Sequence, residues 1–154
     1  MTDPAAFRAV MGHFATGVTV VTAIGPDGPV GMTANAVCSL SLDPLLLLVC
    51  FDTGARTLPI VRETERFGVN VLAADQEDLA QRFASRHEGK FDEVLHDVHD
   101  GVPVLDGALA WVACSLSELL PGGDHVIGIG AVTAAQHREG EPLLWFRGAY
   151  RRLA

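Results

Sequence analysis

The chain has 154 residues, of which 49% are hydrophobic, and a formal net charge of −8 at pH 7. Nucleic-acid binding depends on clustered Lys and Arg that neutralise phosphates, so an acidic chain with Lys90 as its one lysine is a poor candidate for that function. The apolar content, 16 glycines and 8 prolines are typical of a compact, turn-rich protein and exclude a disordered one. We expect a single domain over residues 1–154.

Neither a membrane span nor a secretory signal is predicted. An apolar run such as residues 45–51 is far shorter than the roughly 20 residues that a helix needs to cross a bilayer, and the N-terminus lacks a basic start followed by an apolar centre. Three cysteines without C-x-x-C spacing indicate reduced thiols. The His- and Asp-rich stretch 91–101 lacks the ligand spacing of a structural zinc site. We expect a cytoplasmic protein without a metal.

The first third of the chain predicts a helix followed by strands. Asp3 and Pro4 are helix-start residues, and apolar side chains recur at helical spacing up to Phe14, so a helix is expected over residues 4–14. The β-branched segment 17–24, a Pro- and Gly-containing turn and the next segment predict a hairpin. The run 45–51 is typical of a strand buried on both faces.

The rest of the chain continues as helices and strands. We predict a helix over 56–64, a strand over 66–73, a helix over 75–84 capped by Asp75, and an irregular excursion over 85–106. Two long strands, 108–120 and 125–137, are joined by a Gly-rich turn, and a last strand follows a turn at 138–141. Six or more strands with tight turns favour an antiparallel barrel, closed on itself.

A polar stripe lies between the hairpin and the apolar run. Hydroxyl and amide side chains occupy odd-numbered positions there, and small residues separate them: Thr33, Ala34, Asn35, Ala36, Cys38, Ser39 and Ser41. Hydroxyls, an amide and an approachable backbone suit a phosphate and the edge of a planar heterocycle. The alternative is a half-buried strand whose Thr and Ser face solvent.

Two familiar motifs are excluded by context. Gly128 and Gly130 resemble the start of a dinucleotide fingerprint, but the third glycine is missing and a β-branched strand follows in place of a helix. No G-x-S-x-G nucleophile elbow occurs either.

The chain resembles the flavin reductase-like family over residues 7–153. The resemblance rests on the order of GVTVVTA, G-x-T-A-N-A-x-x-S-L-S-x-D-P, R-T-L, F-G-V-N-V-L-A, Q-x-x-L-A-x-x-F-A, K-F, G-D-H and a terminal G-x-Y. It implies a homodimeric, mainly β protein with short helices, built as an antiparallel split β-barrel of Greek-key type, the FMN-binding split barrel. It also implies reduction of FMN or FAD by NADH or NADPH, and delivery of the reduced flavin to a separate monooxygenase.

The resemblance also implies roles for individual residues. The flavin ring and ribityl chain would lie along Thr33, Ala34, Asn35 and Ala36, with Ser39, Ser41 and Leu42 beside them and with Cys50, Phe51 and Asp52 in the same site. Phosphate would meet Arg56 and Thr57, a loop with Arg86, Lys90 and Phe91 would cover the flavin, and Tyr150 would lie at its edge. Asp124 and His125 would bind the nicotinamide, with His125 as the catalytic residue.

The chemistry of Thr57 supports one of these roles, whereas Asp52 and the loop around His87 depart from the family pattern. Thr57 opens a predicted helix, where free N–H groups and the helix dipole favour an anion. Asp52 is an acid where relatives often carry Asn or Ser, so Arg56 must offset it, and the loop around His87 carries histidine where relatives often show glycine. For His125 the alternative is a turn histidine at the start of a strand.

The chemistry would belong to the cofactors, so neither a triad nor a metal is needed. Small residues such as Ala34 and Ala36 would leave room for a stacked ring, and the nicotinamide dinucleotide would bind shallowly. Two alternatives stay open: a pyridoxamine-phosphate oxidase-like flavoenzyme, and a non-catalytic flavin or tetrapyrrole carrier on the same barrel. The sequence leaves open FMN against FAD and NADH against NADPH.

Overall fold

The computed structural model describes residues 2–154 and places twelve strands and three helices in this range. The helices are α1 (Pro4–Met11), α2 (Thr57–Thr64) and α3 (Glu77–Ala84), none of them long and apolar enough to cross a membrane. The strands are β1 (Thr16–Gly17), β2 (Thr19–Gly25), β3 (Gly28–Ala34), β4 (Val37–Leu42), β5 (Leu45–Asp52), β6 (Arg66–Val71), β7 (His96–His99), β8 (Val102–Leu105), β9 (Ala110–Gly122), β10 (His125–His137), β11 (Leu144–Phe146) and β12 (Ala149–Arg151).

The main sheet has seven antiparallel strands in the order β3-β2-β6-β9-β10-β5-β4. Its edge strands, β3 and β4, are connected directly by residues 35–36, and the backbone N–H of Cys50 on β5 donates to the carbonyl of Ala36 at 3.0 Å. Because β3 also contacts β5, the sheet curls into a barrel that is open between β3 and β4. The antiparallel, mainly β fold is therefore confirmed, as a split barrel and not the fully closed one that strand count alone favoured.

In strand β5, buried and more exposed residues alternate along the chain. The prediction that this strand is buried on both faces is wrong. Leu47, Val49 and Phe51 point into the barrel and are buried, whereas Leu46, Leu48 and Cys50 on the outward face are only half-buried. The physical reason is the barrel itself, because a strand in its wall has one face on the core and one on the outer surface.

Gly128 and Gly130 on β10 allow aromatic rings to fill the barrel. A Cβ at Gly128 would lie 2.7 Å from the Phe51 ring, and one at Gly130 would lie 2.6 Å from the Phe67 ring. The two rings meet edge to face with centroids 5.9 Å apart. The glycine pair that resembles a dinucleotide fingerprint thus has a packing role.

A second apolar cluster lies outside the barrel, beneath α3. It contains Val18, Leu72, Phe83 and Leu143, and Trp145 and Tyr150 pack against it. These last two residues belong to a small sheet of strands β1, β11 and β12. The sequence predicted one final strand here, but Arg147 and Gly148 adopt positive φ angles of 53° and 73° and turn the chain into a hairpin.

Helix starts and ends differ in detail from the predictions. Asp3 caps α1 as expected, since its Oδ1 accepts the N–H of Ala6 at 2.8 Å, but α1 ends at Met11. Helix α3 begins after Gln76 and not Asp75. The buried Gln76 side chain accepts the N–H of Ala73 at 2.8 Å and donates to the carbonyl of Asp106 at 2.9 Å, so it ties two loops together.

The predicted excursion 85–106 contains a β-hairpin, β7–β8. Its turn residues, Asp100 and Gly101, have φ angles of 49° and 80°. Arg66 on β6 donates to the Asp100 carboxylate at 3.1 Å, and the Thr133 hydroxyl donates to the same oxygen. These bonds lower the pKa of Asp100, the Thr133 hydroxyl contributing most. The sequence did not predict this hairpin because its turn is stabilised by Arg66 and Thr133, which are distant from it in the sequence.

Candidate active site

A cleft of about 190 Å³ opens at the C-terminal end of β3. Trp145 and Tyr150 form one wall, with ring centroids 4.8 Å apart. The remaining lining residues are Val18, Thr33, Ala34, Asn35 and Ala84. An aromatic wall opposite small and polar residues suits a planar, partly polar ligand. The structure thus brings together four of the residues predicted to contact flavin, namely Thr33, Ala34, Asn35 and Tyr150.

Hydrogen bonds fix the polar side of this cleft. The Thr33 hydroxyl donates to the carbonyl of Ala80 on α3 at 2.6 Å, and the Thr19 hydroxyl donates to the carbonyl of Ala34 at 2.6 Å. The Thr33 hydroxyl therefore keeps only acceptor capacity toward a ligand. Burial, and secondarily the charge of Glu77, raises the pKa of Tyr150, so its hydroxyl remains a donor at neutral pH.

A pair of cations adjoins the cleft along β3. The Lys90 ammonium donates to the carbonyl of Phe83 at 3.0 Å and to that of Gly31 at 3.4 Å. Partial burial, and secondarily the charge of Arg56, lowers the pKa of Lys90. Two residues before Lys90, the Glu88 carboxylate lies 3.6 Å from the Arg56 guanidinium. The loop 85–91 thereby joins β3 to the start of α2.

The start of α2 offers one cationic side chain and few free backbone N–H groups, because the Leu58 N–H donates to the carbonyl of Ala55 at 3.2 Å and Pro59 has no N–H. Arg56 is the residue before the helix, and Thr57, its first residue, is only 2% exposed. An anion at this helix end would meet chiefly the exposed Arg56 guanidinium, with the buried Thr57 side chain behind it. Arg86 lies exposed in the neighbouring loop 85–91.

His125 lies beside the segment predicted to bind flavin, although the two are far apart in the sequence. It is the register partner of Asp52 on β5, and the N–H of Thr53 donates to the carbonyl of Asp124 at 3.1 Å. The His125 Nδ1 lies 2.7 Å from the Asp124 carboxylate. The hydrogen bond to His125, followed by its charge, lowers the pKa of Asp124.

The two predicted phenylalanines differ in burial, because Phe91 is only half-buried. Phe51 is fully buried in the barrel. The Phe91 ring packs edge-on against Phe83, with centroids 4.9 Å apart, and against His96 at 5.0 Å.

The β4 residues are spread along their strand. Ser41 and Leu42 are five and six positions from Ala36, which at about 3.3 Å per residue is roughly 15–20 Å. Leu42 is 88% exposed at the hairpin tip, and the Ser41 hydroxyl accepts the N–H of Asp43 at 3.2 Å. In one subunit the structure therefore does not group Ser41 and Leu42 with the cleft, and Ser39 lies between the two regions.

Three residues that line the cleft were not predicted from the sequence: Val18, Ala84 and Trp145. Trp145 faces the cleft because β11 pairs with β12 and places it opposite Tyr150. The one feature of the sequence that could have indicated Trp145 is its position five residues before Tyr150. Within residues 2–154, no three His, Cys, Asp or Glu side chains are grouped to hold a metal.

The family profile described as flavin reductase like domain matches residues 11–154. The chain belongs to the flavin reductase-like family. A curated relative, FMN reductase (NADH) SmoA of Agrobacterium fabrum, is 43% identical over 149 residues, covering 96% of this chain and 85% of the relative. The reductase subunit HsaB of a flavin-dependent monooxygenase in Rhodococcus jostii is 40% identical and covers 96% of this chain and 77% of its own length.

Solved structures of the family share the fold of this flavin reductase-like chain. Streptomyces globisporus C-1027 NADH:FAD oxidoreductase SgcE6, in complex with NAD and FAD fragments, superposes with a TM-score of 0.94 at 39% identity. The match covers 100% of this chain and 96% of SgcE6. The split barrel predicted from the resemblance is confirmed.

Proposed function

We propose that this chain catalyses the reduction of FMN or FAD by NADH or NADPH. The observation that carries the proposal is the aromatic cleft joined by β3 to the Arg56 and Lys90 cations. Lys90 contacts Gly31, and Thr33 lines the cleft two residues further along β3, about 7 Å away. One elongated ligand with a ring at one end and a phosphate at the other fits both features.

The residues present match a flavin in chemistry. The ring would lie against Trp145 and Tyr150, with Thr33, Ala34, Asn35 and Ala36 along the ring and ribityl chain. Residues 35–36 stand outside the strand ladder, at the opening of the barrel, so their backbone can meet the polar edge of the ring. The phosphate would meet Arg56, Lys90 and the start of α2.

His125 would orient the nicotinamide. Its hydrogen bond to Asp124 holds the ring in one orientation and leaves Nε2 to meet the dinucleotide. When bound, the flavin supplies the hydride-accepting chemistry. The chain supplies position, since Asp52 and the turn after it place His125 beside the flavin segment.

We further propose a homodimer with the flavin near its interface. Helix α1 has no buried residue, and the apolar side chains Phe7, Val10, Met11 and Phe14 are all exposed. The outward face of β5 and β10 is also apolar, with Leu46, Leu48, Cys50, Ile127 and Ile129 only half-buried. A second copy that covers these surfaces would enclose the face on which Cys50, Asp52 and His125 lie.

The partner would be a separate flavin-dependent monooxygenase that receives reduced flavin by diffusion. HsaB, by its name, is such a reductase subunit. The chain would act as one domain in the cytoplasm, where the thiols of Cys38, Cys50 and Cys114 stay reduced.

Steady oxidation of NADH or NADPH tests the proposal. We expect turnover only when FMN or FAD is added to the purified chain. A pyridoxamine-phosphate oxidase-like protein would instead consume oxygen with a tightly held flavin, and a carrier would bind flavin without turnover. A rate with saturating flavin no higher than that of free flavin and NAD(P)H in solution would refute the proposal.

A further inference from the structure

A carboxylate of the same chain, that of Glu88, lies beside the cation pair formed by Arg56 and Lys90. The Glu88 carboxylate lies 3.6 Å from the Arg56 guanidinium, and both side chains are largely exposed, at 88% and 69%. It is the one carboxylate within 4.0 Å of Arg56 in residues 2–154. Glu88 therefore occupies a position at which an incoming phosphate would also find Arg56.

In the loop 85–91, the segment that follows Glu88 is held in place by hydrogen bonds. Arg82 on α3 donates to the carbonyl of Lys90 at 2.7 Å and to that of Asp92 at 2.6 Å. The Lys90 ammonium is itself anchored to Phe83 and Gly31. Only Gly89, with φ +72°, separates Glu88 from this anchored segment, so the carboxylate stays close to Arg56 while its side chain is free to turn.

The contact is weak enough to be displaced. A charge-assisted hydrogen bond between guanidinium and carboxylate is typically about 2.7–2.9 Å long, and a screened surface pair contributes little. Carboxylate and phosphate bind guanidinium through the same fork of N–H donors, so they compete for it. Arg56 and Lys90 carry two positive charges against the single negative charge of Glu88, so Glu88 does not neutralise the pair.

We propose that Glu88 is an affinity-setting residue: its carboxylate competes with the flavin phosphate for Arg56 and so lowers the affinity for phosphorylated flavins relative to riboflavin. The inference rests on the proposed function, because it takes the ligand of this cation pair to be a flavin phosphate. Glu88 thereby weakens retention of FMN, which favours a flavin that leaves after reduction.

The test is a fluorescence titration of FMN and of riboflavin, which lacks the phosphate, with the full chain and its variants. We expect Glu88→Gln to lower the Kd of FMN by about two- to fivefold, the range for an exposed ion pair, and to leave the Kd of riboflavin unchanged. The matched control is Glu139→Gln, which removes the same charge from an exposed residue beyond β10 and should change neither Kd. In an Arg56→Gln background, Glu88→Gln should have no effect on FMN.

Three outcomes would overturn the inference. An unchanged or weaker FMN affinity in Glu88→Gln would show that the carboxylate does not compete. An equal gain for FMN and riboflavin would assign the effect to loop packing. If the wild-type chain turns over FMN while either result holds, only the inference fails; if it binds neither flavin, the proposed function fails with it.

Discussion

His125 faces Asp52 across two paired strands, and its imidazole is held by the neighbouring Asp124. The proposed nicotinamide and flavin half-sites are therefore adjacent in space although about 70 residues apart in sequence. They remain chemically distinct, because His125 is half-exposed on the outer face whereas Thr57 is buried at the start of α2.

Substitution should separate these half-sites. We expect His125→Ala to lower kcat/KM for NAD(P)H by roughly five- to thirtyfold, the loss of one contact of about 1–2 kcal/mol, with a smaller change in flavin KM. Arg56→Gln, which removes the exposed guanidinium that would meet the phosphate, should raise the FMN KM and leave that of the nicotinamide nearly constant. Steady-state kinetics with each substrate varied in turn measures both, and a His125→Ala variant that loses flavin affinity alone would contradict the assignment.

We expect flavin binding to weaken at alkaline pH, where Lys90 loses its charge. Burial and the charge of Arg56 lower its pKa below the ordinary 10.5. The phosphate, fully ionised above about pH 7, favours the charged ammonium, so FMN affinity should fall as pH rises through that lowered pKa.

The control for this pH dependence is Lys90→Arg. A guanidinium keeps its charge over the whole range, so FMN affinity in this variant should not fall over the same window. Titration of wild type, variant and riboflavin at increasing pH gives the comparison. A parallel decline for riboflavin would show that Lys90 does not meet the phosphate.

At the scale of elements, β10 depends on its glycines. A methyl group at Gly130 would meet the Phe67 ring at 2.6 Å and the Cys114 Cβ at 2.7 Å. We expect Gly130→Ala to lower the free energy of unfolding by about 1–3 kcal/mol, as overpacking does. The matched control is Gly17→Ala on β1, where an added Cβ has no neighbour within 4 Å. Urea denaturation measures both; equal midpoints would contradict the packing role.

Local chemistry predicted some elements and not others. The hairpin β2–β3 and the start of α1 follow from turn and cap residues, which act within a few positions. The β7–β8 hairpin was missed because Arg66 and Thr133, both more than 30 residues away, hold its turn. The polar stripe around Thr33 was visible in the sequence, whereas Trp145 became visible only through the pairing of β11 with β12.

At the scale of the molecule, two apolar surfaces are left exposed or half-buried. Helix α1 leaves Phe14 70% exposed, and the outward face of β5 and β10 is apolar as well. Light scattering should therefore show a dimer at micromolar concentration. Phe14→Asp should shift it toward monomer and weaken flavin binding, whereas Leu95→Asp, at a residue 74% exposed in the loop before β7, should do neither. A monomeric wild type would count against both the dimer and an interfacial flavin.

We propose that this chain passes electrons from a nicotinamide to a flavin that it then releases. The most direct measurement is an anaerobic reaction of catalytic amounts of protein with excess FMN and limiting NADH, followed by ultrafiltration. We predict that flavin absorbance bleaches by one FMN per NADH consumed over many turnovers, and that the reduced flavin appears in the filtrate. Bleaching that stops at one flavin per subunit, with the reduced flavin retained by the protein, would contradict the account.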